Sequence, residues 1–169
     1  CRSRFEVVIG PGFTARADGE MVQIGNRFLD TYPDEQLAAA VAHELAHNIL
    51  HHRDRLRAVG ADYGILSGFG RNVRYFRQTE LEADILSVSL LANAGYDPQD
   101  AVRFWRDFGP KHAGGMLRSR SHPAWTDRVA TIARAIERLG PARPHRPAIL
   151  DARTRPLDGD WQALLVRAR

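Results

Sequence analysis

The sequence predicts an α+β fold, mostly helical, with a small antiparallel or mixed sheet. Two short runs of strand-forming residues stand near the start, at residues 5–9 (FEVVI) and 20–25 (EMVQIG). Between them lie Gly10, Pro11, Gly12 and the Asp18-Gly19 pair, which are turn residues. From Pro33 onward the apolar residues change to helical spacing.

Pro33 and Asp34 open the first long helix, with acids in its first turn. Leu37, Val41, Leu45 and Ile49 recur every four residues and are expected to form its buried stripe. That helix is expected to reach about Arg53. Residues 60–70 are rich in glycine around Tyr63, Ile65, Leu66 and Phe69, which suits either a flap beside a cleft or a loop pinned on the core. A second helix is expected from about Val73 to Asn93, stopped by Gly95 with Pro98 behind it. It is apolar on most sides, as a central buried helix is. A third spans about Pro98 to Phe108, and residues 109–121 form a Gly-rich, basic loop. A fourth helix starts near Ser121-His122-Pro123 and ends at Gly140, with Trp125 expected in the core. Pro141, Pro144, Pro147 and Pro156 then mark an extended tail. The expected division is a domain of residues 1–140 and a Pro/Arg-rich tail of residues 141–169, packed on the domain or extending from it.

The chain has 169 residues, enough for one domain with a sizeable core. Its apolar fraction of 44% and charged fraction of 26% are those of a globular protein. No run approaches the roughly 18 apolar residues that a membrane span needs. The net charge is +4, carried by scattered arginines with Lys111 as the single lysine. No nucleic-acid-binding motif accompanies them, so nucleic acid is not an expected partner. The one cysteine excludes an intrachain disulfide. It is residue 1, the position a lipid-modified cysteine takes after signal-peptide cleavage, and equally what an arbitrary boundary would leave.

Residues 43–47 read His-Glu-Leu-Ala-His within the first long helix. Two histidines four apart project from one helix face about one turn apart, so both imidazoles can reach one zinc ion. Glu44 lies beside that face and can act as general base toward a metal-activated water. His51 continues the four-residue spacing, but eight residues of helix rise about 12 Å, too far to share an ion bound at about 2 Å. His51 and His52 are therefore expected on the surface near the helix end.

A zinc site of this kind needs a third protein ligand. A further histidine six residues after His47 would serve, but that position is Arg53. The second helix offers Glu80-Leu81-Glu82-Ala83-Asp84. Glu80 and Asp84 share a face, and Glu82 points roughly the other way. Glu80 is the candidate ligand. Asp84, one turn on, can accept the free N–H of a ligating histidine. Ala83 is small enough to let the two helices approach closely.

HExxH, then Glu-x-x-Ala-Asp, then His-Pro-x4-Arg resembles the HtpX / CAAX prenyl endopeptidase family of zinc metallopeptidases, in its soluble BepA-like branch. The matching segments are His43–His47, Glu80–Asp84 and His122-Pro123 with Arg128. The resemblance implies a gluzincin-type core, one Zn²⁺ per chain and a protein or peptide substrate. It implies a metalloendopeptidase in bacterial envelope protein quality control, located in the periplasm or envelope and anchored there if Cys1 carries lipid. It also suggests that Met21, Val22, Gln23 and Ile24 form an edge strand that pairs with the substrate backbone, against a plain hairpin as the alternative. His122 then acts as an oxyanion stabiliser or a resting-state zinc ligand, where a lone histidine would otherwise cap or pack. Arg128 can pair with Asp84. The chain departs from the pattern in having Thr14-Ala15 where Asn-Ala is common, and in lacking membrane-spanning segments, which argues against a prenylated substrate. The alternative reading is a catalytically silent zinc-containing chaperone-like or binding protein.

Overall fold

The computed structural model describes residues 6–61, 72–112, 121–141 and 143–166. Three strands open the chain: β1 (Glu6–Gly10), β2 (Ala15–Ala17) and β3 (Met21–Gly25). Their order is β1-β3-β2, with β1 parallel and β2 antiparallel to β3, so the small sheet is mixed. β2 has only three residues, too few to show an alternating pattern in the sequence.

Seven α-helices follow among the described residues: α1 (Asn26–Thr31), α2 (Asp34–Ile49), α3 (His52–Ala58), α4 (Asn72–Ala94), α5 (Gln99–His112), α6 (Trp125–Glu137) and α7 (Trp161–Val166), with a 3₁₀ helix at Ala148–Thr154 before the last. No helix among the described residues is long and apolar enough to cross a membrane. The main core joins Val22 and Ile24 of β3, Phe28 of α1, alanines of α2, Val88 and Leu91 of α4, Phe104 of α5 and Ile132 of α6.

The burial of α2 differs from expectation. Leu37, Val41, Leu45 and Ile49 are only half-buried, and Ala39, Ala40, Ala42, His43 and Ala46 face inward instead. Ala46 and Ala83 are both fully buried and pack in one cluster with Leu50 and Leu86. Small side chains there let α2 and α4 lie close, and the bulkier stripe is left at the margin, where Leu37, Val41 and Leu45 line a groove with Leu90.

α2 also stops earlier than expected. It ends at Ile49, and His51 adopts a left-handed conformation with φ 53° before α3 begins. The amide N–H of Leu50 still donates to Ala46 C=O at 3.0 Å, while that of His51 donates to Asn48 C=O at 3.1 Å, a tightened last turn. Asn48 ties this end to the sheet: its Oδ1 accepts from Gly19 N–H at 2.8 Å and its Nδ2 donates to Met21 C=O at 3.0 Å. The break turns the chain inward. His51 is exposed as expected, but His52 is 1% exposed, which corrects its placement on the surface.

α4 matches its expected span and closes on Gly95, whose φ of 87° suits a residue without Cβ. Tyr96 N–H reaches back to Leu91 C=O at 3.0 Å, the bond that completes such a helix end. α5 runs past its expected end at Phe108 and carries Pro110 inside its last turn. α6 starts at Trp125 behind Ala124, so Ser121 is not its cap and His122 precedes it. The expected extended tail instead folds into the 3₁₀ helix and α7. Leu157 is buried with Leu56, Ala61 and Phe76. Arg55 Nε donates to Arg155 C=O at 2.8 Å, and Gly159 N–H donates to Gln78 Oε1 at 2.8 Å. The Gly-rich stretches at 62–70 and 113–120 lie outside the described residues.

His51 carries a Cβ in a backbone region that disfavours one. His51→Gly should stabilise the protein by up to about 1 kcal/mol, and His51→Val should destabilise it by about 1 kcal/mol or more. Urea unfolding of the two variants beside wild type checks this. A glycine variant less stable than wild type would remove strain at residue 51 from the account.

Candidate metal centre

α2 presents His43 and His47 from one face, and its alanine surface brings that face against α4. His43 Nε2 and His47 Nε2 are 3.1 Å apart. Glu80 of α4 stands across from them, with Oε2 at 3.6 Å from His43 Nε2 and Oε1 at 3.5 Å from His47 Nε2. These three residues form a possible metal-binding group among the described residues. Tetrahedral zinc with bonds of about 2.0–2.2 Å places neighbouring donors about 3.4 Å apart. The imidazole nitrogens lie 3.1 Å apart and each faces a different Glu80 oxygen, so all three side chains converge within reach of one ion, and two imidazoles with one carboxylate are a suitable donor set.

The electrostatics point the same way. Burial and Arg128 push the His43 imidazole down, but Asp84 and Glu80 outweigh them and lift it to about 9. The pocket thus favours positive charge at this point, which a divalent cation also supplies. Burial holds the His47 imidazole well below its ordinary value and so neutral, in the form a metal requires. Burial works against the Glu80 carboxylate, but His122, Arg128 and His43 outweigh it and keep it well below the usual range. Glu44 sits one residue from His43 and lines the same cavity. Burial pushes its carboxyl up to about 7, with His43 opposing and Glu80 assisting.

Each histidine is held from behind. On the His43 side, Asp84 Oδ1 lies 3.0 Å from Nδ1. Arg128 grips Asp84 with two bonds, Nε to Oδ2 at 2.8 Å and NH2 to Oδ1 at 2.7 Å. Its NH1 reaches Glu80 Oε2 at 3.0 Å, and the guanidinium lies 3.6 Å over the Trp105 ring. The pairing of Arg128 with Asp84 is the one read from the sequence.

On the His47 side, Nδ1 meets His52 Nδ1 at 2.8 Å, and His52 Nε2 meets Glu82 Oε2 at 3.0 Å. Arg55 donates to both Glu82 oxygens, at 2.5 and 3.2 Å, and Gln78 Nε2 donates to Oε1 at 2.9 Å. Glu82 does face away from Glu80, but it is only 2% exposed. Sequence reasoning missed this second group. The signal was an acid with no solvated face in an apolar helix, which requires a buried cation nearby.

A cavity of about 620 Å³ opens over the cluster, lined by Glu44, His122, Ala15, Arg16 and Ala17 among others. Phe13, Phe108 and Trp125 form aromatic walls, so Trp125 borders the cavity and is not a core residue. His122 Nε2 stands 3.8 Å from Glu80 Oε1, and its Nδ1 lies 3.0 Å from Ser121 Oγ. The expected substrate strand needs correction. Met21, Val22, Gln23 and Ile24 belong to the central strand β3, which is paired with β1 on one side and β2 on the other. Their backbone groups are already committed to neighbours, so no further strand can add there. The strand at the sheet edge beside the cavity is β2, Ala15–Ala17.

The family model of Peptidase family M48 matches residues 63–136. Over that span the chain is similar to metallopeptidases, and the span includes Glu80, Asp84, His122 and Arg128. The HExxH histidines lie before it, so their convergence on Glu80 is a separate observation. No curated protein and no solved structure matches the chain.

Glu82 gives the fold a pH signature. Burial alone would raise its carboxyl, but hydrogen bonds from His52 and Arg55 outweigh burial and hold it at about 2, against an ordinary 4.5. A folded value below the unfolded one adds stability that is fully present above about pH 4.5 and lost as pH falls toward 2. The pH-dependent part is no more than about 3 kcal/mol. Urea unfolding of metal-free wild type and Glu82→Gln between pH 6 and 2.5 should show a stability gap that closes with acid. A gap constant with pH would mean that Glu82 is not ionised in this ion pair.

Proposed function

We propose that this protein is a zinc-dependent endopeptidase, with one Zn²⁺ held by His43, His47 and Glu80 and with Glu44 as general base. The observation that carries the reading is the convergence of His43, His47 and Glu80 within reach of one ion, beside a cavity that Glu44 also lines. Zinc at this position supplies a Lewis acid that polarises a carbonyl and lowers the pKa of water to about 7. Glu44 takes the proton from the attacking water on its carboxylate and delivers it to the nitrogen of the leaving amine. Burial of the Glu44 carboxyl favours its holding the proton between the two transfers. Asp84 and Arg128 keep His43 oriented, and Arg128 also anchors Glu80.

The β2 edge at Ala15–Ala17 is positioned to bind an extended substrate backbone by strand addition. The aromatic walls suit a bulky apolar side chain next to the scissile bond. A role in bacterial envelope protein quality control is part of this proposal on the strength of the sequence resemblance.

Glu44→Gln should keep stoichiometric zinc and lower peptide cleavage by roughly 10²–10⁴-fold, measured by metal analysis beside a peptide-library assay. Undiminished cleavage in the glutamine variant would point to another base, and a zinc-loaded wild type that cleaves no peptide would favour the silent binding-protein reading. Glu80→Ala should lose zinc under the same chelator competition that wild type survives.

His122 has two candidate roles, which kinetics separate. As a carbonyl-oxygen donor, its loss in His122→Ala lowers kcat by roughly 100–1,000-fold with little change in KM. As a reversible zinc ligand, its loss leaves cleavage level or faster. Its approach to the Glu80 oxygen that also faces His47 favours the second role.

A further inference from the structure

The function proposed above uses His47 only through Nε2, the nitrogen that faces Glu80 and His43. Its other nitrogen, Nδ1, meets a buried chain of residues that nothing in that mechanism employs. We infer that His52 and Glu82 are positioning residues for the metal centre: the relay His47–His52–Glu82–Arg55 fixes the tautomer and ring orientation of His47. This inference rests on the reading of His47 as a metal ligand.

The argument starts at the closed end. The Glu82 carboxylate can only accept hydrogen bonds, and Arg55 and Gln78 fill most of its capacity. His52 Nε2, at 3.0 Å from Oε2, must therefore carry a hydrogen. Arg55 already balances the Glu82 charge, so His52 can do this as a neutral ring. A neutral imidazole with hydrogen on Nε2 has a bare Nδ1, which needs a donor. The group facing it at 2.8 Å is His47 Nδ1, so the hydrogen of His47 sits there. The lone pair of His47 is then on Nε2, directed at the donor cluster. With His52 neutral, each step leaves one assignment, and the last is the form of His47 that a metal requires.

The backbone shows how His52 reaches this position. In a continuous helix a residue five places on is rotated 140° around the axis and cannot face its predecessor. The left-handed turn at His51 breaks that register. It brings the His52 ring under His47, with centroids 4.8 Å apart and planes at 76°. The two arms behind the centre differ in kind. His43 meets a carboxylate directly, whereas His47 meets one through a neutral ring.

The test compares wild type, His52→Leu and His52→Asn by zinc competition with a chelator and by thermal unfolding without metal. The leucine variant removes the acceptor beside His47. The asparagine variant keeps an acceptor, because its amide oxygen can occupy the place of His52 Nδ1. Both variants lose the bond to Glu82 and should unfold at similarly lower temperature. The relay predicts roughly 10–100-fold weaker zinc binding in His52→Leu and most of that affinity recovered in His52→Asn. Equal loss in both variants, in step with stability, would reduce His52 to scaffold and overturn the inference. A measurement on wild type covers the case in which a variant fails to fold. Histidine ¹⁵N NMR of the zinc-loaded protein should show hydrogen on His52 Nε2 and on His47 Nδ1. Hydrogen on His52 Nδ1 would overturn the relay while leaving the zinc site intact. A wild-type protein that takes up no stoichiometric zinc would instead overturn the proposed function, and the relay with it.

Discussion

The site depends on the contact between Ala46 and Ala83. Both alanines are fully buried, and they pack where α2 and α4 come together. Helices separated by larger side chains would keep their axes further apart, and His43 and His47 would no longer meet Glu80 at 3.5–3.6 Å. A larger residue at either position would therefore act on metal binding as well as on packing. The apolar leucines of α2 lie at the margin because the centre of the interface is reserved for this approach.

Bringing the helices together also buries charge. Asp84 and Glu82 are almost wholly excluded from solvent, and each is matched by an arginine from another helix, Arg128 and Arg55. Buried ion pairs of this kind contribute little net stability, because desolvation offsets attraction. Losing one member is another matter, since the survivor is left unpaired in a poor solvent for ions. The pairs thus act on geometry. Asp84 and Arg128 belong to α4 and α6, and Glu82 and Arg55 to α4 and α3, so two helices, α6 and α3, are tied to α4 around Glu80.

Much of this was legible in the sequence wherever helical periodicity converts spacing into direction. The joint facing of His43 and His47, the shared face of Glu80 and Asp84, and the long span of α4 all follow from 3.6 residues per turn. The missed features were those that depend on distant parts of the chain. β3 reads as a strand, but its central place in the sheet is set by β1 and β2 together, and β2 is too short to announce itself. The end of α2 carries no glycine or proline, so the break at His51 had no local marker. Without that break, His52 reads as a solvated residue on a continued helix. α6 likewise starts later than its Ser-His-Pro signal suggests, because Ala124 and not Ser121 takes the capping position.

The C-terminal segment touches Arg55 and Gln78, two of the three residues that hold Glu82. Arg155 offers its carbonyl to Arg55, and Gly159 offers its amide hydrogen to Gln78. Between them Leu157 is buried against α3 and α4 residues. On the proposed zinc reading, the segment stands behind the His47 arm of the centre, although it contributes no donor to it. Linkage is reciprocal. If docking of residues 155–159 orders Arg55 and Gln78, then filling the centre must tighten the docked segment by the same factor. Amide exchange at Gly159 thus becomes a remote gauge of occupancy, and any protein that captured this segment would be loosening the grip on the ion from the far side of the molecule.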